Sequence, residues 1–131
     1  MEVQAKARYL RTSPRKIRYV IDVIRGMQVE QAQKQLSFSK KQAAGLVLKV
    51  LNSAIANAKH NFHIEDTASL YIKHITADGG PILHRWRARA FGRAAPIRKR
   101  TAHITILLDT QGADTQIKKA LIKKVKVQKG K

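Results

Sequence analysis

Between Leu83 and Thr101 the chain reads LHRWRARAFGRAAPIRKRT, with seven Arg or Lys, one His, one Trp, one Phe and no acidic residue. Cations at this density neutralise phosphates, and the rings of Trp86 and Phe91 among them can stack on unpaired bases, as guanidinium planes also can. A second basic group, Arg8, Arg11, Arg15, Lys16 and Arg18, lies near the N-terminus. Phosphate contacts of this kind position a protein on nucleic acid without reading its sequence. Catalysis has far less to work with. The eight carboxylates are scattered, and Glu65-Asp66 is their only adjacent pair. His60 and His63 have an i, i+3 spacing that can bind a metal, but no further ligand pattern accompanies them, and histidine near a helix C-terminus suits the dipole. Cysteine is absent, which excludes disulfides and Cys-based zinc sites. There is no nucleophile signature and no glycine motif that cradles phosphate. The reading is a binding protein, not an enzyme, with no cofactor.

Charge names the partner class. The 131 residues hold 27 Lys and Arg against 8 Asp and Glu, a net +19, and self-repulsion of that size costs stability unless a polyanion relieves it. Nucleic acid comes first and an anionic membrane second. No apolar run approaches the roughly 18 residues of a spanning helix, and MEVQAKARYLRTS lacks the apolar core of a signal peptide. A soluble, cytoplasmic, single-domain protein is expected.

The elements that must carry these residues follow from periodicity. Val3, Ala5, Ala7 and Tyr9 alternate with Gln4, Lys6, Arg8 and Leu10, which predicts a strand with one dry and one basic face. Ser13-Pro14 reads as N-cap and first helical residue, Ile17, Val20, Ile21 and Ile24 form an apolar stripe, and Gly26 is the stop. That stripe is better suited to a core than to a membrane surface. A short helix is expected from Val29 to Leu36, with Val29, Ala32 and Leu36 on one side. Ser39 and Gln42 form a capping-box pattern for a third helix, with Phe38 and Ala43 as a staple. Its apolar face runs through Val47, Val50, Leu51, Ala54, Ile55, Ala58 and Phe62. Gly45 within it is a mild fault, on the order of 1 kcal/mol against Ala. Leu70–Thr76 and Thr101–Leu108 are β-branched strands.

Asp78-Gly79-Gly80-Pro81 is either a hairpin turn or a bulge within a longer strand. A turn there would leave a twenty-residue structureless loop, so the bulge is the better reading. The strand then continues through Arg85-Trp86-Arg87-Ala88-Arg89, turns near Phe91-Gly92 and returns through Ile97-Arg98-Lys99-Arg100. Such an arm reaches roughly 30 Å. Arg85 would lie near Arg98 or its neighbours, and that repulsion predicts an arm that orders only when phosphates screen it. After Asp109 the chain is Lys-rich and expected to be a flexible tail.

The residues so reached resemble a known family. Ala5-Lys6-Ala7-Arg8-Tyr9-Leu10-Arg11 with Ser13-Pro14-Arg15-Lys16 is similar to the N-terminal strand and helix start of large-subunit ribosomal protein family twenty-two, of bacterial or organellar type. Asn52-Ser53-Ala54-Ile55-Ala56-Asn57-Ala58 with His60-Asn61-Phe62 resembles its long-helix motif. Asp78-Gly79-Gly80-Pro81, Arg89-Ala90-Phe91-Gly92-Arg93 and Arg98-Lys99-Arg100-Thr101-Ala102-His103-Ile104 resemble its hairpin and return strand. The match is collinear over about residues 2–109.

The resemblance implies an α+β fold, a small three-stranded antiparallel sheet packed on three helices, with a long extended β-hairpin arm (about 79–101) and a disordered basic tail (110–131). It implies large-subunit ribosomal RNA, neighbouring ribosomal proteins and the nascent peptide as partners, a role in early assembly, a place in the cytoplasmic ribosome and no homo-oligomer. RNA-binding candidates are then Lys6, Arg8, Arg11, Arg15, Lys16 and Arg18 at the start, and Asn57, Lys59, His60 and Asn61 on the long helix. On the arm they are Arg85, Arg87, Arg89 and Arg93, followed by Arg98, Lys99, Arg100 and His103. Tunnel-lining candidates are Trp86, Ala90, Phe91, Gly92, Arg93 and Ala94. His84 stands where the family usually has Lys or Arg, and Trp86-Arg87 is bulkier and more basic than usual. The competing reading is a free nucleic-acid chaperone or nucleoid-type DNA-binding protein.

Overall fold

A computed structural model describes residues 2–64 and 67–110. In chain order they form β1 (Glu2–Leu10), α1 (Pro14–Ile24), α2 (Val29–Phe38), α3 (Gln42–Phe62), a 3-10 turn at Thr67–Ser69, β2 (Leu70–Ala88) and β3 (Ala94–Thr110). The architecture is the expected α+β one, with three helices and one antiparallel sheet in the order β1-β3-β2. The tail and the Glu65-Asp66 pair lie outside the described residues, apart from Thr110, which ends β3.

Register decides which face is dry. β3 is central, and Leu108 lies between Val3 and Ile72 while Ile106 lies between Ala5 and Ile75. All six are buried, and they meet the α1 stripe Ile17, Val20, Ile21 and Ile24, then Val29, Ala32 and Leu36 of α2, and Val47, Leu51, Ala54 and Ala58 of α3. A one-residue slip would turn every one of these strand side chains to solvent, so apolar burial pins the pairing.

The helix starts differ in one place from expectation. Pro14 opens α1, and the Ser13 carbonyl accepts the Lys16 and Ile17 N–H groups at 3.1 and 3.5 Å. Gly26, at φ +75°, ends the helix in the left-handed conformation that glycine adopts cheaply. Ser39, however, does not cap α3. It ends α2, with its N–H donating to Leu36 O at 3.3 Å, and α3 begins at Gln42 after Lys41. Phe38 is therefore 86% exposed and staples nothing: α2 runs two residues past Leu36 and carries Phe38 to the outer surface. Gly45 is also exposed, and a Cβ there would meet nothing within 4 Å, so it marks no close helix crossing.

Both outer strands are tied to the helices and loops by hydrogen bonds. On β1, Asn57 Nδ2 donates to Gln4 O at 3.1 Å; on β2, Arg18 Nε donates to Ala77 O at 3.1 Å, and Ile72 N donates to Met27 O at 3.0 Å. Across the open face, Lys73 is the extra residue of a bulge between Ile72 and His74, and its Nζ holds Glu2 Oε1 at 2.6 Å and Asp109 Oδ2 at 2.9 Å. One ammonium thus ties all three strands.

That clip titrates. The Lys73 hydrogen bond holds Asp109 below the usual carboxylate range, and Glu2 and then Asp109 hold Lys73 above the usual lysine range. Asp109 therefore stabilises the fold above its ordinary pKa of about 4, and this is lost as pH falls through the lower folded value. The lysine contribution is complete below about pH 10.4 and is lost only as pH rises through its higher folded value. We expect Lys73→Met to lower the unfolding free energy at pH 7, with the gap to the wild type closing as pH falls through the lowered Asp109 value, read by urea denaturation at neutral and acid pH. A gap unchanged in acid would show that packing, not charge, carries the effect.

Candidate nucleic-acid interface

The arm leaves the sheet at a second bulge. Pairing shifts between Gly79 and Ile82, so Asp78-Gly79-Gly80-Pro81 bends a continuous strand and is not the hairpin turn. Pro81 sits in the bulge, where its missing N–H interrupts no ladder bond, and its carbonyl accepts Thr101 Oγ1 at 2.7 Å. Gly80 lies under Thr101 and His103: a Cβ there would collide with Thr101 Oγ1 and stand 3.1 Å from the His103 ring.

Beyond the bulge, seven pairs from Ile82↔Arg100 to Ala88↔Ala94 carry the ladder outward, roughly 20 Å at about 3.3 Å per residue. Phe91 and Gly92, at φ +57° and +66°, make the turn, and Arg89 N donates to Arg93 O at 2.8 Å. Two positive φ values are what a type I′ turn needs. From Ile82 to Arg100 no side chain is buried.

Register keeps like charges from facing one another directly across the arm. Arg85 faces Ile97, Arg87 faces Ala95, Arg98 faces His84, Lys99 faces Leu83 and Arg100 faces Ile82. No Arg or Lys opposes another, so the destabilising like-charge pair does not form. Directly paired residues share a face, so one face carries Arg85, Arg87 and Lys99 and the other carries His84, Arg98 and Arg100. Trp86, 70% exposed, is paired with Pro96 on the second of these faces.

At the arm base a groove of about 250 Å³ is lined by Lys6, Arg8, Tyr9, Asp78, His103, Ile104 and Thr105. Arg11, Arg15 and Lys16 are exposed at the adjoining β1–α1 junction. Arg18 and Asn57 each commit a hydrogen bond to a sheet edge, which gives them a structural role. Lys59, His60 and Asn61 are exposed at the far end of α3. That end lies beside the start of β1, whereas the α3 start shares a groove with Thr12, Lys16 and Tyr19. The candidates thus fall into three groups: the arm, its base with the helix junction, and the remote α3 terminus.

Tyr9 departs from the reading of β1. It is 61% exposed instead of dry, because the register shifts between Ala7 and Leu10 and Tyr9 takes φ +58°. Leu10 turns inward against the core in its place. The left-handed backbone costs a non-glycine residue about 1–2 kcal/mol. Its N–H donates to His103 Nδ1 at 3.0 Å, and the two rings meet edge-on at 4.9 Å. The signal was present in the sequence: Tyr9-Leu10 places two apolar residues side by side in an alternating strand, which is how a bulge reads.

Among the described residues no group of three or more His, Asp or Glu is arranged to hold a metal, and no helix is long and apolar enough to cross a membrane. The chemistry on display is cationic and aromatic.

Known proteins are similar to this chain in sequence. The family model described as Ribosomal protein L22p/L17e matches residues 5–109. A Large ribosomal subunit protein uL22 from Syntrophus aciditrophicus is 50% identical over 109 residues, covering 83% of this chain and 98% of the relative. Its counterpart from Desulfitobacterium hafniense is 52% identical over 107 residues, covering 82% and 93%, and that from Clostridium novyi is 49% identical over 108 residues, covering 82% and 96%. A match that runs from the first strand through all three helices and the whole arm to the end of β3 places the chain in the ribosomal protein L22p/L17e family, structural proteins of the large ribosomal subunit and not enzymes.

Proposed function

We propose that this protein binds large-subunit ribosomal RNA, helps that RNA fold during assembly, and extends its arm to line the passage of the nascent peptide. The arm carries the reading. It holds seven Arg or Lys and no acid, buries nothing and adds nothing to the core, so its composition answers to something outside the protein. Residues 1–109 act as the RNA-binding domain, with the Lys-rich 110–131 as an appended tail. Arg8, Arg11, Arg15 and Lys16 take phosphates at the arm base, Arg85, Arg87, Arg98, Lys99 and Arg100 take them along the arm, and Lys59, His60 and Asn61 engage a separate RNA segment. Trp86, Ala90, Phe91, Gly92, Arg93 and Ala94 face the peptide passage. Ribosomal RNA, adjacent ribosomal proteins and the emerging peptide are the partners, and the protein works as one copy within the cytoplasmic ribosome.

Sucrose-gradient fractionation of cells carrying tagged full-length protein tests this. The protein is expected in the large-subunit fraction at moderate salt. A version lacking 84–98 is expected to keep its helical circular dichroism, because the arm has no buried side chain, yet to be depleted from that fraction. Recovery of the full-length protein on bulk DNA, outside large subunits, would establish the nucleoid reading instead.

A further inference from the structure

Tyr9 combines two features that folding alone does not reward. Its backbone is in the left-handed region at φ +58°, and its ring is 61% exposed. Asparagine or glycine would hold the same bend with less strain, and neither would leave an aromatic surface in water. What surrounds the ring is specific. The Tyr9 N–H donates to His103 Nδ1 at 3.0 Å, which fixes the imidazole beside it, and the edge-on contact at 4.9 Å leaves at least one face of Tyr9 open. The same groove holds the cations Lys6 and Arg8 and the carboxylate of Asp78, to which Thr76 Oγ1 donates at 3.5 Å.

A duplex backbone presents phosphates and ribose hydroxyls but no open base face, so it leaves the exposed Tyr9 ring without a match. An unpaired nucleotide presents three things that match three lining groups: a π face for Tyr9, a phosphate for Lys6 and Arg8, and N–H donors for the Asp78 carboxylate. We infer that the Tyr9–His103 groove receives one unpaired RNA base bearing an exocyclic amino group, stacked on Tyr9 and donating to Asp78, with its phosphate on Lys6 and Arg8. This rests on the RNA-binding reading and adds a single-stranded site to it. His103 then acts as a positioning residue, whose ring holds the stacking tyrosine in place and need not touch the phosphate.

Binding of the full-length protein to oligoadenylate, oligouridylate and a duplex RNA of equal length tests the inference, since adenine carries the amino group that uracil lacks. The wild type is expected to favour oligoadenylate over oligouridylate, and the ring signals of Tyr9 are expected to move upfield in NMR spectra when oligoadenylate is added. Tyr9→Gly, which suits the left-handed backbone, is expected to reduce the ratio of oligoadenylate to duplex affinity about tenfold, the loss of one stacked base. Tyr9→Asn should match it, with circular dichroism showing both variants folded. Asp78→Leu should erase the preference for adenine over uracil. An unchanged ratio in both Tyr9 variants, or Tyr9 signals that stay in place, overturns the stacking site while RNA binding stands. A wild type that binds none of the three RNAs overturns the RNA-binding reading itself.

Discussion

Replacing Arg85, Arg87, Arg98, Lys99 and Arg100 together by glutamine is expected to flatten the salt dependence of RNA binding by about 4 units of log–log slope. Each phosphate contact releases counterions and contributes roughly 0.7 to 0.9 to that slope, less on single strands than on duplex. A fourfold rise in salt should then weaken the wild type roughly 250-fold more than the variant. The five side chains suit the experiment because none has an ion-pair partner among the described residues. None faces another Lys or Arg across the ladder, and glutamine preserves length and strand geometry. Circular dichroism should be unaltered, so that the slope reports contact and not folding. A slope equal to the wild type would show that the arm reaches no phosphate.

The largest effect on stability is expected from one added side chain at the base of the arm. Gly80→Val places a branched side chain against Thr101 Oγ1 and the His103 ring. Thr101 is 4% exposed, and its hydroxyl is committed to the Pro81 carbonyl, so it can yield only by breaking that bond. Overpacking costs about 1–3 kcal/mol, and stranding a buried hydroxyl costs a similar amount. A loss of about 3 kcal/mol in urea denaturation is the expected result. Gly79→Ala is the control: a Cβ there meets nothing within 4 Å, and its effect should stay within about 0.5 kcal/mol. If the two variants behave alike, glycine's flexibility and not the close approach at Gly80 shapes the base of the arm.

The bulge that Gly80 serves was legible in the sequence, because a turn at Asp78–Pro81 would have stranded the basic block as an unsupported loop. The helix stripes were equally plain: Ile17, Val20, Ile21 and Ile24 are all buried, and so are Val29, Ala32 and Leu36. These features repeat every few residues, and the physics behind them acts within one element. Reading failed where neighbouring elements compete for a residue. Ser39 matched a capping box for α3, but α2 continued through Phe38 and took Ser39 as its own end. Tyr9 continued an alternation that the bulge broke one step earlier.

Charge placement divides the same way. That the arm is basic and that nothing acidic interrupts it are properties of composition, and they named a polyanion as partner before any fold was known. Whether its cations repel one another depends on which residues face across the hairpin, and that register is set by the bulge at Gly79–Ile82 and the turn at Phe91-Gly92 together. The roles of Arg18 and Asn57 at the sheet edges, and of Lys73 between Glu2 and Asp109, join residues far apart in the chain. Local periodicity specifies which face of an element is dry, since burial free energy acts on each side chain where it stands. The partner that a polar side chain meets on the wet face depends on how whole elements close against one another, and only the tertiary structure decides that.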